Sequence, residues 1–374
     1  LETFAFALTL YEVVIRLTGV IGALMVIIFV HEAGHYLVGR WCGIGVSVFS
    51  VGFGPELCSF RDKHGTRWRL AVIPLGGYVR FIGNPDAAGT PAAQQQAEDL
   101  RLDSFPSASA WKRAATVFAG PFFNAIFTVV VLSALFFAFG QIIIMPVVTD
   151  VLPDSPAAQA GFRPGDKFLT MQRAPVSSFD EIPRYVITHE GEPVHFTLDR
   201  EGRLLEKTVT PHVERVDDGF GNIIRVGRIG IVGSNNPENA RRVDYNALES
   251  VGHGVRESAY IVWQTVQFIG KLVQGRGDRC QLSGPVRSAQ IAWKVSDFGF
   301  LALLQLATFF SISVGIFNLL PVPPLDGGHL IFYLLEGVAG RPVSPHIQEF
   351  FFRVGLAVVL LFIVFAILNN YVPC

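Results

Sequence analysis

Charge is scarce in this chain. Of its 374 residues, 16% are Asp, Glu, Lys or Arg, against about 25% in an average soluble domain. The 30 basic and 31 acidic side chains nearly cancel, for a formal net charge of -1. With no dense Lys/Arg stripe, the chain has no electrostatic footprint for nucleic acid, and a nucleic-acid partner is excluded. Cysteine is also sparse: Cys42, Cys58, Cys280 and Cys374 stand far apart with no CxxC spacing. A disulfide framework and a cysteine-rich zinc site are therefore excluded, and free thiols remain. No internal repeat is visible, which argues against the paired halves of a secondary transporter. What the chain does have is hydrophobicity: half its residues are apolar and its mean hydropathy is +0.41. Disorder, a collagen-like fibre and a long coiled coil are excluded by those figures, and a membrane protein is expected.

The apolar residues gather into four blocks, each near the roughly 20 residues that a bilayer-crossing helix needs. They run over residues 17–38, 114–139, 298–320 and 354–368. The first is flanked by Glu2 and Glu12 and lacks a small-residue cleavage site, so it reads as a retained span rather than a signal peptide. Basic residues are concentrated between the first two blocks, at Arg40, Arg61, Lys63, Arg67, Arg69, Arg80, Arg101, Lys112 and Arg113. The positive-inside rule makes that connection cytoplasmic and the segment 141–297 extracytoplasmic.

The connections are expected to be structured. Val46, Val48 and Phe53, then Trp68, Leu70 and Val72, alternate on either side of Asp62-Lys63-His64-Gly65. That pattern predicts a β-hairpin, with a further strand at Tyr78-Val79-Arg80-Phe81. Its apolar content suits the membrane interface. Residues 85–103 are rich in Ala, Gln, Pro and Asp and read as a loose loop. In the outer segment, Ser155-Pro156 and Gly161 bracket a short helix, residues 167–171 a strand, and 178–188 a helix. Val194, Phe196 and Leu198 alternate as a strand that residues 205–210 can pair with. Residues 244–274 read as an amphipathic helix, lying on the outer membrane surface or packed on the α/β domain.

The chemistry concentrates in His31-Glu32-Ala33-Gly34-His35. On a helix, positions i and i+4 share a face, so both imidazoles can bind one metal ion, and Glu32 stands beside them as a general base. Ionisable residues at the end of a membrane span are costly, and a functional reading is the default. A catalytic zinc needs a third protein ligand and an open position. The residues that follow, Tyr36-Leu37-Val38-Gly39-Arg40-Trp41, supply none. The stretch Asn318-Leu319-Leu320-Pro321-Val322-Pro323-Pro324-Leu325-Asp326-Gly327-Gly328-His329 closes the third block. Its prolines prevent a continuous helix. Span parity puts it at the same membrane face as the histidine pair. Asp326 is the preferred third ligand because two histidines and a carboxylate form an ordinary hydrolytic zinc set. His329 is the rival, and Asp326 could instead cap a helix beginning at Gly327. Gly120-Pro121 with Asn124 is expected to kink the second span and to play a structural part.

The two motifs together resemble the site-2 protease family of intramembrane zinc metalloproteases, in its bacterial regulator-of-sigma-E branch. The resemblance extends to Val51-Gly52-Phe53-Gly54-Pro55, Ile73-Pro74-Leu75-Gly76-Gly77-Tyr78-Val79 and Ala119-Gly120-Pro121-Phe122-Phe123-Asn124, and covers nearly the whole chain. It implies zinc (Zn2+) held by His31, His35 and Asp326, Glu32 as general base and acid, and Asn318 as a substrate-binding residue. It implies that the β-element of residues 44–81 pairs with an extended substrate, and that residues 155–166 belong to a circularly permuted PDZ domain. Relatives of that branch carry two such domains, whereas residues 141–213 leave room for one.

The expected fold is thus a polytopic α-helical membrane protein with about four transmembrane helices. A membrane-associated β-hairpin or small sheet and an extracytoplasmic PDZ-like α/β domain complete it. Its parts are a first span with the HEAGH motif (1–43), the β-element (44–84), a cytoplasmic loop (85–113) and a second span (114–140). The PDZ domain (141–213), a linker with the amphipathic helix (214–297), a third span with the LDGG loop (298–349) and a fourth span (350–374) follow. The resemblance implies a multi-pass protein of the bacterial inner membrane with its active site near the cytoplasmic face. Its partners would be the lipid bilayer, single-span membrane proteins such as an anti-sigma factor or signal-peptide remnants as substrates, and a peptide C-terminus in the PDZ groove. A catalytically inert PDZ-bearing membrane scaffold is the alternative.

Overall fold

The computed structural model describes residues 2–83, 101–217, 223–234, 239–275 and 284–369. In chain order the helices are α1 (Glu2–Trp41), α2 (Ala110–Phe139), the short α3 (Pro156–Gln159) and α4 (Glu181–Val186). Then come α5 (Ala247–Val273), α6 (Pro285–Ser296), α7 (Phe300–Asn318), α8 (Asp326–Ala339) and α9 (Pro345–Asn369). The chain forms two compact units. The first comprises Leu1–Ala134, Val251–Gln274 and Ser283–Asn370; the second is built mainly on Leu135–Ser250.

Among the described residues, four helices are long and apolar enough to cross a membrane: Val13–Trp41 within α1, then α2, α7 and α9. They agree with the four expected blocks: the first, second and fourth helices start earlier than their blocks, and the third is two residues shorter at each end. Their outward faces carry exposed Val, Leu, Ile and Phe side chains. In a chain of this hydropathy those faces belong in lipid rather than water. The chain is a membrane protein.

Between α1 and α2 lies the expected hairpin, β1 (Val46–Arg61) with β2 (Arg67–Phe81). Its turn is closed by Asp62, whose carboxylate accepts from the Trp68 indole and from the backbone N–H groups of His64 and Thr66. The hairpin is folded over on itself. Val48, Phe49, Ser50 and Val51 each have partners in both arms of β2: Arg67–Leu70 on one side, Gly77–Arg80 on the other. The Gly77–Arg80 arm is thereby left at the rim of a small curled sheet, as breaks in register at several points allow. Of the expected loose loop, residues 84–100 lie outside the described residues. Residues 101–105 are firmly held. The Gly45 N–H donates to the Asp103 carbonyl and Phe105 N–H to Ile82, and Phe105 is buried with Ile44, Val46 and Phe81. A single large aromatic decides the matter, since an exposed Phe105 would forfeit its burial energy.

The LDGG segment, expected as part of a loop, opens α8 instead. The expected amphipathic helix exists as α5, and its close neighbour is α2. A side chain at Gly254 would run into Ser133 and the Val129 carbonyl. This glycine lets the two backbones approach, a contact that hydropathy alone does not reveal.

The second unit is centred on a four-stranded antiparallel sheet in the order β6–β5–β7–β8, comprising β5 (Lys167–Met171), β6 (Ala174–Pro175), β7 (Val194–Arg200) and β8 (Arg203–Val209). Alternation along β7 puts Val194, Phe196 and Leu198 inward, where Phe196 meets Phe168 and Phe162 edge-on. Ile182 and Val186 of α4 cover this core. The helix is shorter than the expected 178–188, because Ser178 and Asp180 form a turn ahead of it. Residues 214–243 are not the expected linker. Four further strands lie in this region: β9 (His212–Asp217) and β10 (Ile223–Arg228) form a hairpin, and β11 (Ile231–Gly233) pairs with β4 (Val148–Val151). The last, β12 (Ala240–Val243), pairs with β3 (Gln141–Ile144). The late strands satisfy the edges of the early ones, a long-range demand that local alternation does not signal.

Asp166 fixes the corner of this unit. Its carboxylate is wholly buried and takes a two-pronged bond from Arg200, at 2.6 and 2.8 Å, plus the Arg163 N–H at 2.9 Å. Burial works against its charge, but the Arg200 bond and the Arg163 N–H outweigh that and hold it below the usual carboxylate range. A depressed pKa means stability that is present above the unfolded value of about 3.9 and is lost as pH falls through the folded value. Asp166→Ala should loosen this unit by about 2–3 kcal/mol, the lower end because Arg200 keeps some access to water. Hydrogen exchange of the β7 amides in the detergent-solubilised chain measures it. The wild type should show the same loosening only below about pH 4.

Candidate metal centre

The site is assembled on three helices. His31 and His35 project from one face of α1, one turn apart, and both are buried. They face α2 at very short range. A side chain at Gly34 would overlap the Ala119 carbonyl, and one at Gly120 would overlap both imidazoles. The backbones touch where the two glycines lie, which is the condition for aiming both rings inward. The Thr116 carbonyl then lies 2.9 Å from His35 Nδ1. A carbonyl only accepts, so Nδ1 carries the proton and Nε2 keeps a lone pair for the site. Asn124, wholly buried about two turns beyond Thr116 on α2, lies with its side-chain amide 3.1 Å from His31 Nδ1.

Asp326 arrives from the other side. Leu325 is the N-cap of α8 and Asp326 opens its first turn, so the aspartate does not cap the helix itself. The double glycine after it has a steric cause. A side chain at Gly327 would collide with the carbonyls of Leu319 and Leu320, and one at Gly328 with Pro323. The first turn of α8 is folded tightly onto the proline-rich stretch. At its far end α8 is tied to α2 by a largely buried pair, Arg113 to Glu336 at 2.6 Å, with the Arg113 guanidinium 4.9 Å from the Tyr333 ring centre.

These constraints bring three donor atoms together. His31 Nε2 and His35 Nε2 are 3.3 Å apart, and Asp326 Oδ2 lies 3.1 Å from the first and 3.4 Å from the second. Three ligands at about 2.0–2.1 Å from a tetrahedral zinc would stand roughly 3.3–3.4 Å from one another. The separations match a zinc-sized cation. Oδ2 is moreover buried with no hydrogen bond of good geometry, an orphan that a cation would satisfy. Among the described residues these three form the cluster that could hold a metal. His329 lies outside it, one turn further along α8, with its ring against Tyr333.

The remaining expected residues are close by. Asn318 Nδ2 at the end of α7 is 3.4 Å from His31 Nε2. Glu32 lies against the rim arm of β2 at Gly77. Gly77 makes this approach easy, since a side chain there would press on Glu32, Ile28 and the Ser50 carbonyl. His31, Glu32, His35, Asn318 and Asp326 line one cavity of about 870 Å3, walled by α1, the Gly76–Val79 arm, α6, α7 and α8. Its volume is that of a substrate cleft rather than a packing defect.

The family model described as Peptidase family M50 matches residues 19–362. The chain belongs to peptidase family M50. It is 50% identical to a protein of Bartonella henselae that is named as a zinc metalloprotease, over 93% of this chain and 99% of that one. A similarly named protein of Brucella suis is 44% identical over 94% of this chain and 93% of its own length. Metalloprotease MmpA of Caulobacter vibrioides is 33% identical over 95% of each. This M50 member is a zinc metalloprotease, as the resemblance of its two motifs to the site-2 protease family implies.

Sequence reasoning missed three contributions: the Thr116 carbonyl, the reach of Asn124 to His31, and the rim arm of β2 against Glu32. Gly120-Pro121 followed by Asn124 was the available signal, because a glycine and an asparagine at that spacing share one helix face. Zinc content of purified protein decides between the rival ligands. Wild type should carry about one zinc per chain, Asp326→Ala should lose most of it, and His329→Ala should retain it.

Proposed function

We propose that this M50 zinc metalloprotease cuts single-span membrane proteins within or near the transmembrane segment, with His31, His35 and Asp326 as the zinc ligands. The observation that carries the reading is the cavity that joins the donor cluster to an open strand rim inside a set of membrane-spanning helices. A helical peptide bond is shielded by its own ladder. A substrate drawn out alongside Gly76–Val79 is held extended by strand addition, with its carbonyls exposed to the site.

Zinc, when bound, supplies Lewis acidity that polarises the scissile carbonyl and acidifies a water. Glu32 takes the proton from the attacking water and delivers it to the departing amine. Its side chain packs against Gly77, on the same arm that would hold the substrate. Asn318 offers its amide N–H to the oxygen that gains charge during attack, where a fixed donor is most effective. The apolar walls contributed by α1 and α7 limit access of bulk water.

Span parity and the basic connection between α1 and α2 favour a site near the cytoplasmic face of the bacterial inner membrane. They favour a position outside the cell for the second unit. Its sheet order, its covering helix α4 and the Ser155–Asp166 segment support a single PDZ-like domain, whose groove would take a peptide C-terminus. Anti-sigma factors and signal-peptide remnants are the substrate classes favoured by the resemblance.

Glu32→Gln separates this reading from an inert scaffold. The variant should keep its zinc, hydrolyse a single-span reporter at least ~100-fold more slowly in proteoliposomes, and accumulate the uncut substrate in a co-purifying complex. Cleavage at the wild-type rate would overturn the role of Glu32, and absence of cleavage by the wild type would favour the scaffold.

A further inference from the structure

We propose that Asn124 is a positioning residue for the metal site: its side-chain oxygen accepts the Nδ1–H of His31 and so commits the His31 Nε2 lone pair to the metal. This rests on the reading of His31, His35 and Asp326 as ligands.

The two nitrogens of His31 face opposite ways. Nε2 points at the donor cluster, 3.1 Å from Asp326 Oδ2 and 3.3 Å from His35 Nε2. Nδ1 points the opposite way, 3.1 Å from the Asn124 amide. A neutral imidazole has one N–H and one lone pair, so Nε2 can ligate only while Nδ1 holds the proton. That N–H is buried and needs an acceptor, or it costs about 1–3 kcal/mol. For His35 a backbone carbonyl, that of Thr116, fills the role. His31 has no such carbonyl among its hydrogen bonds, and the Asn124 side chain is the group beside its Nδ1.

The amide is nearly symmetric in shape, and which end faces a neighbour is decided by hydrogen bonding. With its nitrogen toward Nδ1, the side-chain oxygen of Asn124 is buried and has no partner at all. With the oxygen turned toward Nδ1, that carbonyl is satisfied and the His31 proton is placed where zinc ligation requires it. The backbone of Asn124 is fixed independently: its carbonyl accepts from Thr128 at 3.0 Å and from Ser311 of α7 at 3.3 Å. The side chain is therefore not needed to hold α2 against α7. A helix-kink role would be served by Pro121 alone, since it removes a backbone donor from α2. An oriented acceptor behind each ligating histidine is the usual second requirement of a zinc site, and its loss typically weakens metal binding about 10–100-fold.

The test is zinc affinity, by chelator competition on the detergent-purified full chain, for wild type, Asn124→Leu, Asn124→Asp and Asp326→Ala. Leucine keeps the volume and removes the acceptor, and should weaken zinc binding about 10–100-fold. Aspartate keeps an acceptor with no N–H, and should bind zinc at least as tightly as wild type. That rescue is one a purely packing role would not give. Wild-type affinity in the leucine variant would overturn the proposal. So would a tenfold or greater loss in the aspartate variant, which stands even if the leucine variant fails to fold. Retention of zinc by Asp326→Ala would overturn the ligand reading itself, and the proposal with it. Loss there with wild-type affinity in Asn124→Leu would overturn Asn124 alone.

Discussion

Helix α1 lies against α2 at backbone contact, and the metal site depends on that contact. The histidine pair is buried in an apolar helix, where two imidazoles and a carboxylate are costly unless each polar atom finds a partner. Gly34 and Gly120 bring the helices close enough for α2 to supply those partners, the Thr116 carbonyl for His35 and the Asn124 amide for His31. A larger residue at either glycine would push the rings off their bearings before it altered any ligand. The candidate ligands come from α1 and α8, but the second span determines where the rings point.

The same economy governs Asp326. The proline-rich stretch after α7 frees backbone groups that must be satisfied inside the protein. The chain turns back at once, and Gly327 and Gly328 let the first turn of α8 fold onto those very carbonyls. Asp326 is thus delivered to the histidines by a rigid corner rather than by a mobile loop, and the Arg113–Glu336 pair fixes the other end of the helix. A site built on helix termini and packed corners keeps its geometry better than one carried on loops.

Much of this was legible in the sequence. The four spans follow from hydropathy, the hairpin from alternation around Asp62–Gly65, and the His31, Glu32 and His35 grouping from helical spacing. Span parity was enough to bring Asp326 to the same end as the histidines. What stayed hidden depends on long-range contacts. The return strands β11 and β12 answer edges formed some 80–100 residues earlier. Phe105 is buried only because the Ile44–Phe81 cluster leaves a place for it. The LDGG corner is helical because tertiary packing overrides the poor helix propensity of a glycine pair. In the sequence Asn124 looks like a local device of a kinked helix, because its partner is 93 residues away.

The central claim is that one zinc ion is held by two imidazoles and one carboxylate. X-ray absorption spectroscopy of the zinc in the purified wild-type chain tests it most directly. The account predicts a shell of nitrogen and oxygen at about 2.0–2.1 Å with the outer-shell scattering of two imidazoles. A third imidazole in that shell, or sulfur at about 2.3 Å, would contradict it.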